Sequence, residues 1–196
     1  MIDDEFYTIA SRALKENRFA KTIQVTGIAP TGLGPLVEWT ASKSLDRKAK
    51  DPERLHSAPA TAVLHVLSRT LAFRWRTGRP HCPIDWETRL SREFQDVVPW
   101  PPSVGPGWFW LVEGAADFLS QRMSSTRIVT HEIKEKYGTL RWEISTSNFS
   151  PEVDGYIDCI DILSGFICEE CGAPGEIQTI RGRTRCRCLR CTGAAI

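Results

Sequence analysis

The chain has 196 residues, of which 41% are hydrophobic and 25% charged. This composition fits a folded domain with room for a small appended module, and it argues against extended disorder. Its 25 Lys and Arg against 24 Asp and Glu leave a formal net charge of +1, so no global field draws it to nucleic acid or a membrane surface.

The opening Met1-Ile2-Asp3-Asp4-Glu5 is acidic where a secretory leader is basic, and no long apolar run follows. A cytoplasmic protein is expected. Phe6, Ile9, Ala10, Ala13 and Leu14 recur at helical spacing and predict a helix over 3–18. Alternation over 22–26 and 36–40 predicts two strands, joined through turn residues at 27–35. The polar, proline-punctuated stretch 42–59 reads as a loop. Val63, Leu64, Leu67 and Leu71 form a helical stripe within 60–75, stopped by Gly78-Arg79-Pro80. Leu90, Phe94 and Val97 fit a shorter amphipathic helix.

Residues 99–107 are too rich in proline and glycine to be regular. They lead Trp108, Phe109 and Trp110 into a helix continued by Leu111, Ala115, Phe118 and Leu119. Side chains two apart on a helix diverge, so these aromatics are not expected to share one core. A core cluster is the main expectation, with Trp108 or Trp110 as a candidate partner contact. The period then changes. Segments 126–133 and 139–144 alternate around a Tyr137-Gly138 turn, with Leu140, Trp142 and Ile144 on one face and Arg141 and Glu143 on the other. A last helix over 151–163 turns Val153, Tyr156, Ile157, Ile160 and Leu163 inward.

Four of the seven cysteines form Cys168-x-x-Cys171 and Cys188-x-x-Cys191, sixteen residues apart. In a reducing compartment such spacing points to metal rather than disulfides. Each pair offers two sulfurs to one Zn²⁺ at ~2.3 Å, and four thiolates close the coordination sphere, which marks a structural ion. Cys186 with Cys188, or Cys186 with Cys191, is an alternative second pair. Cys188 with Cys191 is the expected one, because two similar knuckles make the usual ribbon geometry. Cys82 and Cys159 stand alone and read as small buried hydrophobes.

No catalytic set emerges from the histidines His56, His65, His81 and His131. His131-Glu132 lacks a second histidine because Glu135 stands there, and Ile133 breaks the zinc-deaminase pattern. His65 reads as a packed or boundary residue, and His81-Cys82 as neighbours rather than a dyad. No glycine-rich phosphate loop or G-x-S-x-G is present. The last segment carries Arg181, Arg183, Arg185, Arg187 and Arg190 against Glu169, Glu170 and Glu176. Four thiolates with one Zn²⁺ bring that segment to about zero charge, polarised rather than basic.

The stretch Ile133-Lys-Glu-Lys-Tyr-Gly-Thr-Leu-Arg-Trp142, followed by Ile167-Cys-Glu-Glu-Cys-Gly-Ala-Pro-Gly175, resembles a family of bacterial and phage proteins. These carry a KEKFG-x-LRF strand motif, a helix and a CxxCGAPG zinc ribbon, and many place Gly-Trp before an upstream helix, as at Gly107-Trp108. The resemblance covers residues 100–192. It implies a zinc ribbon on a small α+β domain and brings no activity with it. Its phage or mobile-element setting suits an inhibitor or immunity-type role. The departure lies at Arg185-Cys-Arg-Cys-Leu-Arg-Cys191, where relatives usually show a single C-x-x-C or C-x-x-H.

The expectation is therefore an α+β protein in three stretches. A mixed N-terminal region spans 1–98, a helix–hairpin–helix domain spans 99–166, and a treble-strand zinc ribbon spans 167–196. The expected function is non-enzymatic: occupation of a protein partner, with Arg181, Arg183, Arg185, Arg187, Arg190, Trp108 and Trp110 as candidate contacts. The alternative is nucleic-acid binding through the same arginines.

Overall fold

The computed structural model describes residues 1–46 and 58–193, so the central part of the expected loop at 42–59, with His56, lies outside the described residues. Helix α1 (Ile2–Ala13) buries Ile2, Phe6, Ile9 and Ala10, and its first turn carries Asp3, Asp4 and Glu5, which complement the helix dipole. It ends well before residue 18. Asn17 breaks it: its side-chain oxygen accepts the Phe19 N–H at 2.9 Å and its amide donates to the Leu45 carbonyl at 2.8 Å, an alternative to helical bonding.

Strands β1 (Gln24–Thr31) and β2 (Gly34–Thr40) pair antiparallel with a bulge between Val25 and Gly27. The expected long turn at 27–35 is instead mostly ladder, since Pro30 pairs with Pro35 and only Gly32 and Leu33 turn. Two prolines fit because each strand of this two-stranded sheet has a free edge, where no ladder N–H is needed. The hairpin lies on helix α2 (Ala60–Trp75). A Cβ on Gly34 would come within 2.2 Å of the Ala72 carbonyl oxygen, and the φ of +129° there also favours glycine.

Helix α2 is apolar nearly all round, burying Val63, Leu64, Val66, Leu67, Leu71, Ala72 and Phe73. A helix of that kind belongs at the centre of a core, and it packs against α1, β2, α4 (Phe109–Ser120) and α5 (Pro151–Ser164). Between them, α3 (Trp86–Glu93) buries Trp86 and Leu90, and the turn after it buries Val97 and Val98. Helix α4 buries Glu113 beside Arg76 at 3.0 Å and Arg89 at 3.7 Å.

Trp108, Phe109 and Trp110 are all buried, Trp108 completely. This agrees with the core cluster expected of the run and corrects the alternative, in which Trp108 or Trp110 is an exposed partner contact. Side chains diverging around α4 still find cover, because Trp86 of α3 packs on Phe109, Arg74 of α2 covers Trp110, and the backbone at Ile167 receives Trp108.

Strands β3 (Ile128–Lys136) and β4 (Thr139–Thr146) form a second antiparallel hairpin around Tyr137-Gly138. Leu140 and Trp142 are buried, and α5 packs against β4. The Trp142 indole donates to the Thr130 hydroxyl at 3.0 Å, and the Leu140 N–H donates to the Ser164 hydroxyl at 2.8 Å. The last hairpin joins β5 (Glu176–Ile180) to β6 (Arg183–Arg187). The described residues thus hold five α-helices and three two-stranded antiparallel sheets, a mixed α+β fold. One buried apolar cluster runs from Ile2 to Cys186 and draws on all five helices and on β2, β3, β4 and β6.

The cysteine segment has two strands rather than the expected three. The would-be third is reduced to a bridge between Ile167 and Pro174. Residues 168–173 are consumed by a tight turn, in which the Gly172 N–H bonds the Cys168 carbonyl and the Cys168 N–H bonds the Ala173 carbonyl, both at 2.8 Å.

Candidate metal centre

The turn at 168–172 presents Cys168 and Cys171 together. A second turn presents Cys188 and Cys191, its Cys191 N–H bonding the Cys188 carbonyl at 3.0 Å. The β5–β6 hairpin carries the chain from one turn to the other, so the sixteen intervening residues become the arms of a clamp. The four Sγ atoms lie within 4.8 Å of one another and could hold a metal ion. Cys171 and Cys188 are 3.6 Å apart at sulfur. A tetrahedron of sulfurs at ~2.3 Å from a central ion has edges of about 3.8 Å, and a disulfide would need about 2.05 Å. The geometry fits a shared ion.

Charge supports the same use. Cys168 is pulled down to about 4, chiefly by the hydrogen bond from the Cys171 thiol and then by backbone N–H donors. Its negative charge and that hydrogen bond push Cys171 up, and burial lifts Cys191 to about 11. Sulfurs this close repel one another once ionised. Gathering four requires a cation among them.

Cys186 is fully buried and stands apart from the four. It points under the first turn, where a Cβ on Gly175 would meet its sulfur at 3.1 Å, and burial pushes its thiol up. Cys82 and Cys159 are both raised to about 12 by burial, which keeps them as protonated thiols rather than nucleophiles.

The first cysteine turn is pressed onto the helices beneath it. A Cβ on Gly107 would sit 2.1 Å from the Cys168 carbonyl oxygen, and one on Gly172, with φ +72°, would strike the Trp110 ring at 2.6 Å. Below that contact lies a buried polar clamp that sequence reasoning missed. The Arg74 guanidinium donates to the Cys171 carbonyl at 2.8 Å and, through Nε and Nη2, to both oxygens of Glu5 at 3.1 Å. Trp75 donates to Glu5 at 2.8 Å, and the Arg74 guanidinium lies 4.8 Å from the Trp110 ring centroid. From α1, Arg12 reaches the Gly175 carbonyl at 3.0 Å and Glu176 at 3.1 Å. The one signal available was an arginine late in an otherwise apolar helical stripe.

The arginines of the segment divide in two. Arg185 lies 3.3 Å from both Glu135 and Glu169, and Arg187 pairs with Glu169 at 3.2 Å and with Glu170. Glu169 is 2% exposed, and neither of its oxygens accepts a well-aligned hydrogen bond. These are ion pairs by proximity, and burial holds the carboxyl above its usual range. Arg181, Arg183 and Arg190 are exposed and have no ion pair among the described residues.

Elsewhere, His65 is exposed and packs tilted against Trp39, ring centroids 4.9 Å apart, and the ring of His131 meets Ser145 at 2.9 Å. Neither adjoins the cysteines in any contact of the described residues. No helix of the described residues is long and apolar enough to cross a membrane. Compared with known proteins, the chain matches no protein-family model, no curated protein and no solved structure.

Proposed function

We propose that Cys168, Cys171, Cys188 and Cys191 bind one structural Zn²⁺, and that the protein acts without catalysis by occupying a protein partner. The observation that carries this reading is the convergence of four sulfurs within 4.8 Å, two of them on a turn already docked to the helices. Four thiolates favour zinc among biological ions and leave no open position for substrate. Zinc there would halve the charge of the four thiolates and hold the β5–β6 hairpin in place as a platform.

A protein partner is favoured over nucleic acid by the ion pairing of Arg185 and Arg187. Their charge is largely met by Glu135, Glu169 and Glu170, whereas a surface for phosphates gains from arginines left free. Two measurements test the reading. Metal analysis of reduced, purified protein is expected to give about one zinc per chain, lost in Cys168→Ser and Cys171→Ser and retained in Cys186→Ser. Zinc-free protein would overturn the metal assignment. Gel-shift binding tighter than ~1 µM at physiological salt, with the steep salt dependence of phosphate contacts, would replace the protein partner by nucleic acid.

A further inference from the structure

Along β6 the arginines fall at every second residue, so Arg183, Arg185 and Arg187 share one face of the strand while Thr184 and Cys186 take the other. With Arg181 in the turn, they line an open groove of about 640 Å³, together with Ile180, Glu170 and the cluster cysteine Cys191. Its charge is graded. At the hairpin tip Arg181 and Arg183 have no ion pair among the described residues, and at the base Arg185 and Arg187 are covered by Glu135, Glu169 and the exposed Glu170. Strand rise separates Arg183 from Arg187 by about 13 Å.

The backbone at the tip points the same way. Arg181 has φ +48° and Gly182 φ +76°, a two-residue turn whose first position favours Asn, Asp or Gly. The chain places a long cation where a short residue is the easier choice, and that cation reaches into the groove.

We infer that this groove binds an extended segment of a protein partner, acidic at the end that meets Arg181 and Arg183 and neutral or basic where it passes Glu170. The inference rests on the protein-partner reading and specifies its surface. Nucleic acid fits less well. It carries a negative charge every ~1.7 Å of duplex axis, so the half lying beside Glu170 would be repelled. A segment with its charges in two blocks meets attraction at both ends, with the Ile180 side chain available for apolar contact.

The test uses the full chain, isotope-labelled and zinc-loaded. Three probes are titrated: a peptide with an acidic half and a basic half, the same residues in alternating order, and a duplex oligonucleotide. The blocked peptide is expected to shift the NMR signals of Glu170 and of residues 180–187, and to bind more tightly than the alternating one. The double variant Arg181→Asn/Arg183→Thr suits a turn and a strand, so it is expected to keep its zinc and its fold. Its affinity for the blocked peptide is expected to fall about tenfold, the combined loss of two exposed charge pairs.

Shifts elsewhere, or equal affinity in the variant, would overturn the groove. Oligonucleotide binding at the same residues, tighter than the blocked peptide, would overturn the choice of partner chemistry. A host protein captured equally by variant and unaltered chain would remove the groove and leave the protein-partner reading standing. Absence of any captured protein with the unaltered chain would remove that reading itself.

Discussion

Arg74 shows how much one side chain can organise. It is 7% exposed at the side chain and joins the carboxylate of Glu5, the carbonyl of Cys171 and the face of Trp110. Removing it leaves a carboxylate only 14% exposed with the Trp75 indole N–H as its one remaining donor named above, and breaking such a pair typically costs ~3–5 kcal/mol. Arg74→Ala is therefore expected to lower unfolding free energy by about that amount, as read by urea denaturation. Glu5→Gln in the same background should recover part of the loss, because it removes the stranded charge. Equal loss in single and double variants would mean that the two groups are not coupled. Glu113 gives a second residue-scale test. Desolvation raises it above its ordinary value of 4.5, against the pull of Arg76 and Arg89. The folded chain then holds that proton more tightly than the unfolded one, so the contribution is full at low pH and is lost as pH rises through the folded value. Melting temperatures taken from pH 4.5 upward are expected to decline less in Glu113→Gln than in the unaltered chain.

At the scale of elements, the β3–β4 hairpin separates core from surface within one strand. Trp142 is buried with its indole bonded to Thr130, whereas Arg141, 42% exposed at the side chain, pairs with Asp161 at the edge. Trp142→Ala is expected to cost ~3–5 kcal/mol. Glu143→Ala, at an exposed position of the same strand, is expected to cost under about 1 kcal/mol, and chemical denaturation of both variants checks the contrast. This hairpin was legible in the sequence because a period of two is a local signal, and so were α2, the final helix and the cysteine pairs. What was not legible depended on distant neighbours. The β1–β2 ladder runs through prolines that read as a turn, because nothing local told that both strands have free edges. The aromatic run at 108–110 looked too long for one core, because its cover comes from α2, α3 and the cysteine turn. Arg74 finds partners 69 and 97 residues away, beyond the reach of any periodicity.

For the molecule as a whole, the cysteine cluster and the core are one structure. Gly107, Trp108, Trp110 and Arg74 all lie directly under the first cysteine turn, so chelation should loosen more than the last strands. Structural zinc contributes on the order of 10 kcal/mol in small modules. Stripping it is expected to lower the melting temperature of the entire chain in one transition, with the tryptophan fluorescence moving together with circular dichroism. A separate early transition confined to the cysteine segment would show that the module melts alone. The bond from Arg12 to Gly175 spans 163 residues, and it imposes an order of events during synthesis. A ribosome adding ~5–20 residues each second exposes the first helix long before the cysteines leave the exit tunnel. Until then Arg74 lacks the Cys171 carbonyl and Trp108 lacks that of Ile167. The nascent chain must hold its apolar helices unfinished until residues 167–172 emerge, and only then can those contacts close.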